Sequence, residues 1–298
     1  MRVYNCGLCP RHCAVNRIKG ETGYCRAGTS VKLALAALHF GEEPPISGVG
    51  GSGAMFFSNC NLGCVFCQNY QISSESYGRE ISAEDCAGIM LKLQEAGAEN
   101  INLVTGTPQI YALVPALRYA KQHGLKLPVY WNSSGYETET AVELIDEFID
   151  FYLPDLKTLN KKYARAWFAG EDYGETAARS ILKMLSLKPN KTIIRHLIMP
   201  GFLDSTREVL EWFVKNAAGR AELSLMTQYT PVKNEIVSNS TPKRFVSQDE
   251  YKTVLNWLFE FEIEDGYFQE LMPDSGWLPD FSRENPFESK LSKTIWHS

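Results

Sequence analysis

The sequence predicts an α/β fold, a parallel sheet fronted by a small cysteine-rich lobe, and three observations carry that reading. From Ala54 onward, short β-rich runs alternate with stretches of helical periodicity, the signature of βα units. Seven of the eight cysteines fall before residue 68, in two groups. Between the groups lies GEEPPISGVGGSGA, Gly41 to Ala54, whose Gly and Pro residues interrupt helices and strands alike and mark a boundary.

In chain order, residues 1–50 are the lobe and linker, 51–230 the βα core and 231–298 a cap on its open side. The core strands are AMFFSN (Ala54 to Asn59), NINLVT (Asn100 to Thr105), PVYWNS (Pro128 to Ser133), DFYLPD (Asp150 to Asp155), TIIRHLIM (Thr192 to Met199) and ELSLMT (Glu222 to Thr227). Between them, Cys86, Ile89, Met90 and Leu93 recur at helical spacing, as do Ala141, Leu144, Ile145 and Phe148, then Val209, Leu210 and Phe213. Right-handed crossovers allow an open doubly wound sheet or a partial barrel, and periodicity does not choose between them. In both, strand carboxyl ends meet at one rim, which gathers Cys60, Thr105, Asn132, Asp155, Met199 and Gln228. A helix from about Ser247 to Ile263, a short strand YFQEL and the tail GWLPDFSRENPF make up the cap.

Composition bounds the function. With 298 residues, 44% hydrophobic and 22% charged, the chain is an ordinary globular protein that needs no disulfide staples. A net charge of −5 disfavours nucleic acid and anionic membranes as partners. No apolar run approaches the roughly 20 residues of a membrane span. The opening MRVYNCGLCP lacks the apolar core of a signal peptide, so the expected compartment is the cytoplasm. There, clustered cysteines are metal ligands or catalytic thiols rather than disulfides.

Cys60-Asn-Leu-Gly-Cys64-Val-Phe-Cys67 follows the first core strand directly and puts three thiolates within eight residues. Structural zinc closes on four ligands, whereas three thiolates on a cubane iron–sulfur cluster leave one iron open. Their Asn, Gly and Gln neighbours suit a ligand-wrapping turn better than a core strand. Cys6-x2-Cys9-x3-Cys13-x11-Cys25 supplies four thiolates, enough to close a second [4Fe-4S] cluster or a zinc site without His12. Cys86 lies on an apolar helical face and reads as packing.

The three-cysteine loop, with SNCNLGCVFCQNYQIS, NINLVTGTPQIY, YWNSSGYE, FYLPDLKTLNKKYA, RHLIMPG and TQYTP in that order, resembles the radical S-adenosylmethionine superfamily. Within it, the motifs look like the PflX branch, placed beside pyruvate formate-lyase activating enzymes. The resemblance implies a partial (β/α)6 barrel with a [4Fe-4S] cluster on Cys60, Cys64 and Cys67. S-adenosylmethionine would complete the open iron and be cleaved reductively, giving a 5′-deoxyadenosyl radical that abstracts hydrogen. It also implies a reductant such as flavodoxin or ferredoxin, and a protein substrate in which a glycyl radical is generated. The alternatives are radical modification of a small metabolite, peptide or RNA, and an electron-transfer protein without radical chemistry.

The same resemblance suggests the cofactor contacts, each beside a plainer reading. Phe66 occupies the aromatic position near adenine, or is simply core. Thr105-Gly106-Thr107 stands where many relatives carry a Gly-Gly-Glu for the methionine amino group; the acid is missing here, though hydroxyls and carbonyls still accept hydrogen bonds. Asn132 and Ser134 suit ribose hydroxyls or a turn. Asp155 and Lys157 share one side of an extended segment, beside the cofactor in activating-enzyme relatives or as a surface ion pair. Alternation sends Arg195 and His196 to opposite faces. Arg195 is assigned to the cofactor carboxylate for its paired donors, and His196 to the sheet–helix interface. Gln228 and Tyr229 would line the adenine or substrate side.

Overall fold

A computed structural model of the protein describes residues 5–232, 241–271, 275–288 and 290–298. Its strands are β1 (Val31–His39), β2 (Ser52–Phe57), β3 (Arg79–Ile81), β4 (Ile101–Val104), β5 (Val129–Ser133), β6 (Phe151–Pro154), β7 (Ile193–Leu197), β8 (Glu222–Met226), β9 (Gly266–Phe268) and β10 (Ser292–His297). The helices are α1 (Pro44–Ser47), α2 (Tyr70–Ser73), α3 (Ala83–Glu95), α4 (Ile110–Gln122), α5 (Glu139–Asp146), α6 (Lys161–Trp167), α7 (Tyr173–Leu187), α8 (Leu203–Asn216) and α9 (Gln248–Glu260). Strands β2, β4, β5 and β6 pair in parallel, as do β7, β8 and β9. Parallel bridges from Tyr152 to Thr192 and from Asp155 to Arg195 carry the curve from one set to the other. The result is a partly closed barrel, which resolves the choice that periodicity left open.

Alternation along the strands builds two environments. Ile101 and Leu103 of β4 pack outward with Ile89, Met90 and Leu93 of α3, while Val104 turns inward with Phe56 and Ala54 of β2. Ser82 starts α3 by accepting from the Asp85 amide, and a capping box of Ser247 and Glu250 starts α9. All six core strands occur where the sequence put them, with ends displaced by at most two residues. Among the described residues no helix is long and apolar enough to cross a membrane.

Two assignments change. Val31–His39, read as part of the lobe, is a buried strand that pairs antiparallel with β2 on one side and β10 on the other. Both of its faces are covered, so it shows no alternation to betray it. The Gly41–Ala54 segment is therefore not a divider between lobe and core. It re-enters the fold as α1, where Ile46 packs on Tyr130, Leu153 and Ile193 and closes the amino end of the barrel.

The 231–298 region likewise does more than cap. Helix α9 packs on α8, with Arg207 over the Trp257 ring at 5.3 Å and bonded to Glu260 at 2.7 Å. Strand β9 then extends the parallel sheet beyond six strands, and β10 covers the edge of β1.

Candidate radical site at the barrel rim

The Cys60–Cys67 loop is held from three sides. The Val65 amide donates to the Trp167 carbonyl at 2.9 Å, and the Asn61 side chain donates to the Tyr136 carbonyl at 2.5 Å. Arg11, between two lobe cysteines, donates to the Asn61 and Leu62 carbonyls at 3.1 and 3.2 Å. Gly63 adopts φ +75°, and a Cβ there would lie 2.3 Å from the Tyr24 hydroxyl, so any side chain would strain the backbone and displace Tyr24. The turn brings Cys60, Cys64 and Cys67 to the wall of a cavity of about 780 Å³ inside the barrel. That wall holds three cysteines and no fourth.

Among the described residues no group of three or more His, Cys, Asp or Glu side chains is arranged to hold a metal ion. The fit of these thiols to an iron–sulfur group rests instead on donor chemistry and placement: soft sulfur donors on one loop, facing a cavity, short of a closed set. Burial pushes all three thiols above their ordinary range, so ligation must release protons. Ser73 donates to the Cys67 sulfur at 3.3 Å and the Leu62 amide to the Cys60 sulfur at 3.4 Å, the contacts that stabilise thiolate.

Around the same cavity stand Phe66, Thr105, Asn132, Ser134, Asp155, Lys157, Arg195 and Gln228. Thr105 sits at φ +61°, a costly conformation for a β-branched residue and one found where structure is held for function. Phe66 combines its two readings: it touches the cavity and packs edge-on against Trp167, at 6.0 Å between centroids. Lys157 reaches Asp155 at 2.5 Å with both side chains 19% exposed, so this is a cavity-wall pair rather than a surface one. Burial works against the ammonium, but the Asp155 carboxylate outweighs it and holds Lys157 charged. Tyr173 ties the two rim loops together, its hydroxyl 2.9 Å from the Ser134 and Asp155 carbonyls.

Four of the expected residues have other partners or surroundings. Thr107 does not reach the cavity: its hydroxyl donates at 3.0 Å to the buried carboxylate of Glu137, which also accepts from Trp131 and Ser133. Gly106 backs onto the core, where a Cβ would meet the Trp131 ring at 2.7 Å, so it is a packing glycine. Tyr229 is buried beside Phe66 and donates to the Pro242 carbonyl at 2.8 Å rather than lining the cavity. Arg195 does face inward, yet it grips Glu43 through Nε at 2.9 Å and Glu42 through Nη2 at 2.6 Å, so its paired donors are already engaged. His196, on the opposite face, lies between the Leu156 carbonyl and Thr206, and burial lowers it to about 4, hence neutral.

The lobe cysteines also converge. Cys6, Cys9, Cys13 and Cys25 line one small pocket with Arg17, whose Nη2 lies 3.2 Å from the Cys6 sulfur and 3.6 Å from that of Cys25. Arg17 is 4% exposed and its Nε has no hydrogen-bond partner among the described residues. Cys86 is fully buried beside Ala87 and Met90, and burial raises its thiol to about 12.

Thr107 offers a direct check on its reassignment. Thr107→Val removes a buried hydrogen bond to a carboxylate and is expected to cost about 1.5–3 kcal/mol in urea denaturation. S-adenosylmethionine affinity, measured by equilibrium dialysis, should stay within about twofold; a larger loss would return Thr107 to the ligand site.

The chain matches the family model of the radical SAM superfamily over residues 55–213. It is 32% identical over 236 residues to an uncharacterized protein of Methanocaldococcus jannaschii, covering 76% of this chain and 66% of that one, just under two thirds of its length. It is also 22% identical over 192 residues to the pyruvate formate-lyase-activating enzyme of Clostridium pasteurianum, covering 62% of this chain and 78% of that enzyme. The crystal structure of methylornithine synthase (PylB) shares the fold at a TM-score of 0.50 and 14% identity, over 72% of this chain and 70% of that one. With its cysteine loop, parallel barrel and matching family model, the chain belongs to the radical SAM superfamily.

Proposed function

We propose that the protein is a radical enzyme that binds a [4Fe-4S] cluster on Cys60, Cys64 and Cys67 and uses S-adenosylmethionine to abstract hydrogen from a substrate held in the barrel. The observation that carries this reading is the joint placement, on one cavity wall, of an incomplete thiol set and a row of polar side chains from successive strand ends. When bound, the cluster supplies the electron for reductive cleavage of the sulfonium. The chain's own part is to bind and shield. Lys157, kept charged by Asp155, is the cation available to a carboxylate. Thr105, through its hydroxyl and carbonyl, accepts from an ammonium. Asn132 and Ser134 offer polar partners to ribose hydroxyls, and Phe66 an apolar face for adenine. The barrel wall excludes water from the reacting atoms.

Similarity to the activating enzyme supports a protein substrate of the glycyl-radical kind. Against this, Trp277 and Phe287 of the C-terminal segment line the same cavity, an enclosure that suits a small molecule. Tracing deuterium from a candidate target into 5′-deoxyadenosine distinguishes the two.

The four lobe thiols, by the same argument, hold a second metal group. Arg17 buried against neutral thiols would be an uncompensated charge, whereas thiolates on a metal supply its counter-charge. Anaerobically reconstituted protein should bind about eight irons per chain, or about four with one zinc. It should form 5′-deoxyadenosine under a low-potential reductant. Iron-loaded protein whose electron paramagnetic resonance spectrum ignores added S-adenosylmethionine would overturn the main reading, and about four irons without zinc would overturn the second.

A further inference from the structure

We infer that the closed end of the cavity recognises an organic cation, a primary ammonium on an alkyl chain, and thereby sets the charge of the substrate. This rests on the proposed radical function of the same cavity and names the chemistry of what it acts on.

Among the described residues, the charged side chains on the cavity wall are Glu42, Glu43, Asp155, Lys157 and Arg195, three carboxylates against two cations. His39 adds nothing, because burial holds it below its ordinary range. At the rim, Asp155 and Lys157 neutralise each other at 2.5 Å. The imbalance therefore falls on Glu42 and Glu43, where α1 plugs the barrel and one guanidinium, on the strand beside Asp155, serves two carboxylates.

Both carboxylates are nearly out of water, with Glu43 7% and Glu42 12% exposed. Arg195 takes Glu43 with two nitrogens but Glu42 with only one. The other Glu42 oxygen accepts from the Asn102 amide at 3.0 Å. Asn102 is itself fully buried, and its carbonyl oxygen has no hydrogen-bond donor among the described residues. Excess negative charge thus faces the cavity together with His39, whose Nδ1 has no hydrogen-bond partner among the described residues, and a group rich in N–H donors answers both. Phe56, Phe287 and Trp277 line the approach, and aromatic faces attract cations. A carboxylate or phosphate entering the same space would meet repulsion from Glu42.

A cluster on three thiolates and S-adenosylmethionine do not remove this imbalance. The cubane with its three cysteines carries about one negative charge and the zwitterionic sulfonium about one positive, so the deficit remains for the substrate to fill.

The test is equilibrium binding to the reconstituted full-length protein with S-adenosylmethionine present, using pentylammonium, 1-pentanol and pentanoate as probes of matched shape. Pentylammonium should bind at least about tenfold tighter than either other probe, and Glu42→Gln should erase about tenfold of that preference. Nα-acetyl-lysine amide binding better than pentylammonium would assign the cation to a protein side chain, and the reverse to a free amine; both outcomes support the inference. Equal binding of the three wild-type probes, or preference for pentanoate, would overturn it even if Glu42→Gln does not fold. So would a folded Glu42→Gln that keeps the full preference. Assaying 5′-deoxyadenosine in the same samples separates the failures. Cleavage without charge preference sinks this inference alone, and charge preference without cleavage sinks the radical reading alone.

Discussion

Cys64→Ala is expected to abolish reductive cleavage of S-adenosylmethionine, with 5′-deoxyadenosine falling at least about 10³-fold and iron dropping by about four per chain. The middle cysteine is the decisive one because it lies between the other two on a turn with no fourth cysteine at the cavity wall. Two thiolates hold a cubane poorly, and no neighbour can step in: the nearby cation is Lys157 and the nearby carboxylate, Asp155, is committed to it. The fold should survive, since Cys64 is a half-buried loop residue and the turn is held by backbone and Arg11 contacts. Cys86→Ala is the matched control. It removes a fully buried sulfur from the α3 face and should cost about 1–2 kcal/mol by leaving a small void, with cleavage unchanged. Retained cleavage in Cys64→Ala, or lost cleavage in a folded Cys86→Ala, would reverse the roles given to these two thiols.

Those two cysteines also show what the sequence can convey. Cys86 recurs with Ile89, Met90 and Leu93 at helical spacing, so its burial is written in periodicity, and Cys60, Cys64 and Cys67 announce themselves by crowding onto one loop. The strand ends that bring Thr105, Asn132 and Asp155 to the rim follow from alternation in the same way. What stays hidden depends on contacts between distant segments. Glu42 and Glu43 lie in a Gly- and Pro-rich segment, and nothing local says that it re-enters the barrel 152 residues before the Arg195 that pairs with Glu43. Strand β1 is hidden for a related reason: covered on both faces, VKLALAALH carries no period. Thr107 follows Thr105 along the motif but not in space, and Glu137, the buried acceptor that claims it, shows in YWNSSGYE only as a single acid among aromatic and small polar residues. A single clue was available for the floor of the cavity, an arginine inside an apolar strand, which demands an anion. The chain supplies anions for it, Glu42 and Glu43.

Arg195→Met tests that pairing and should produce the largest loss of stability. It strands Glu42 and Glu43, with side chains 12% and 7% exposed, and breaking a buried charge cluster by removing one partner costs about 3–5 kcal/mol. Burial alone pushes the Glu43 carboxyl up; Arg195 overcomes this and holds it below its ordinary range near 4.5. In the wild type, a carboxyl lowered in the folded state contributes stability that is fully present above its unfolded pKa and lost as pH falls through the folded value. In Arg195→Met the lowering cause is gone, burial raises the group, and protonation on acidification relieves the repulsion. The deficit of the variant, measured by urea denaturation, should therefore be greatest near pH 7 and shrink as pH falls toward about 4.5. Replacing Glu43 as well, in Arg195→Met/Glu43→Leu, should recover part of the loss by removing one of the two stranded charges. If Arg195 instead gripped the carboxylate of S-adenosylmethionine, Arg195→Met would weaken that ligand while barely moving the urea midpoint, and the double variant would recover nothing.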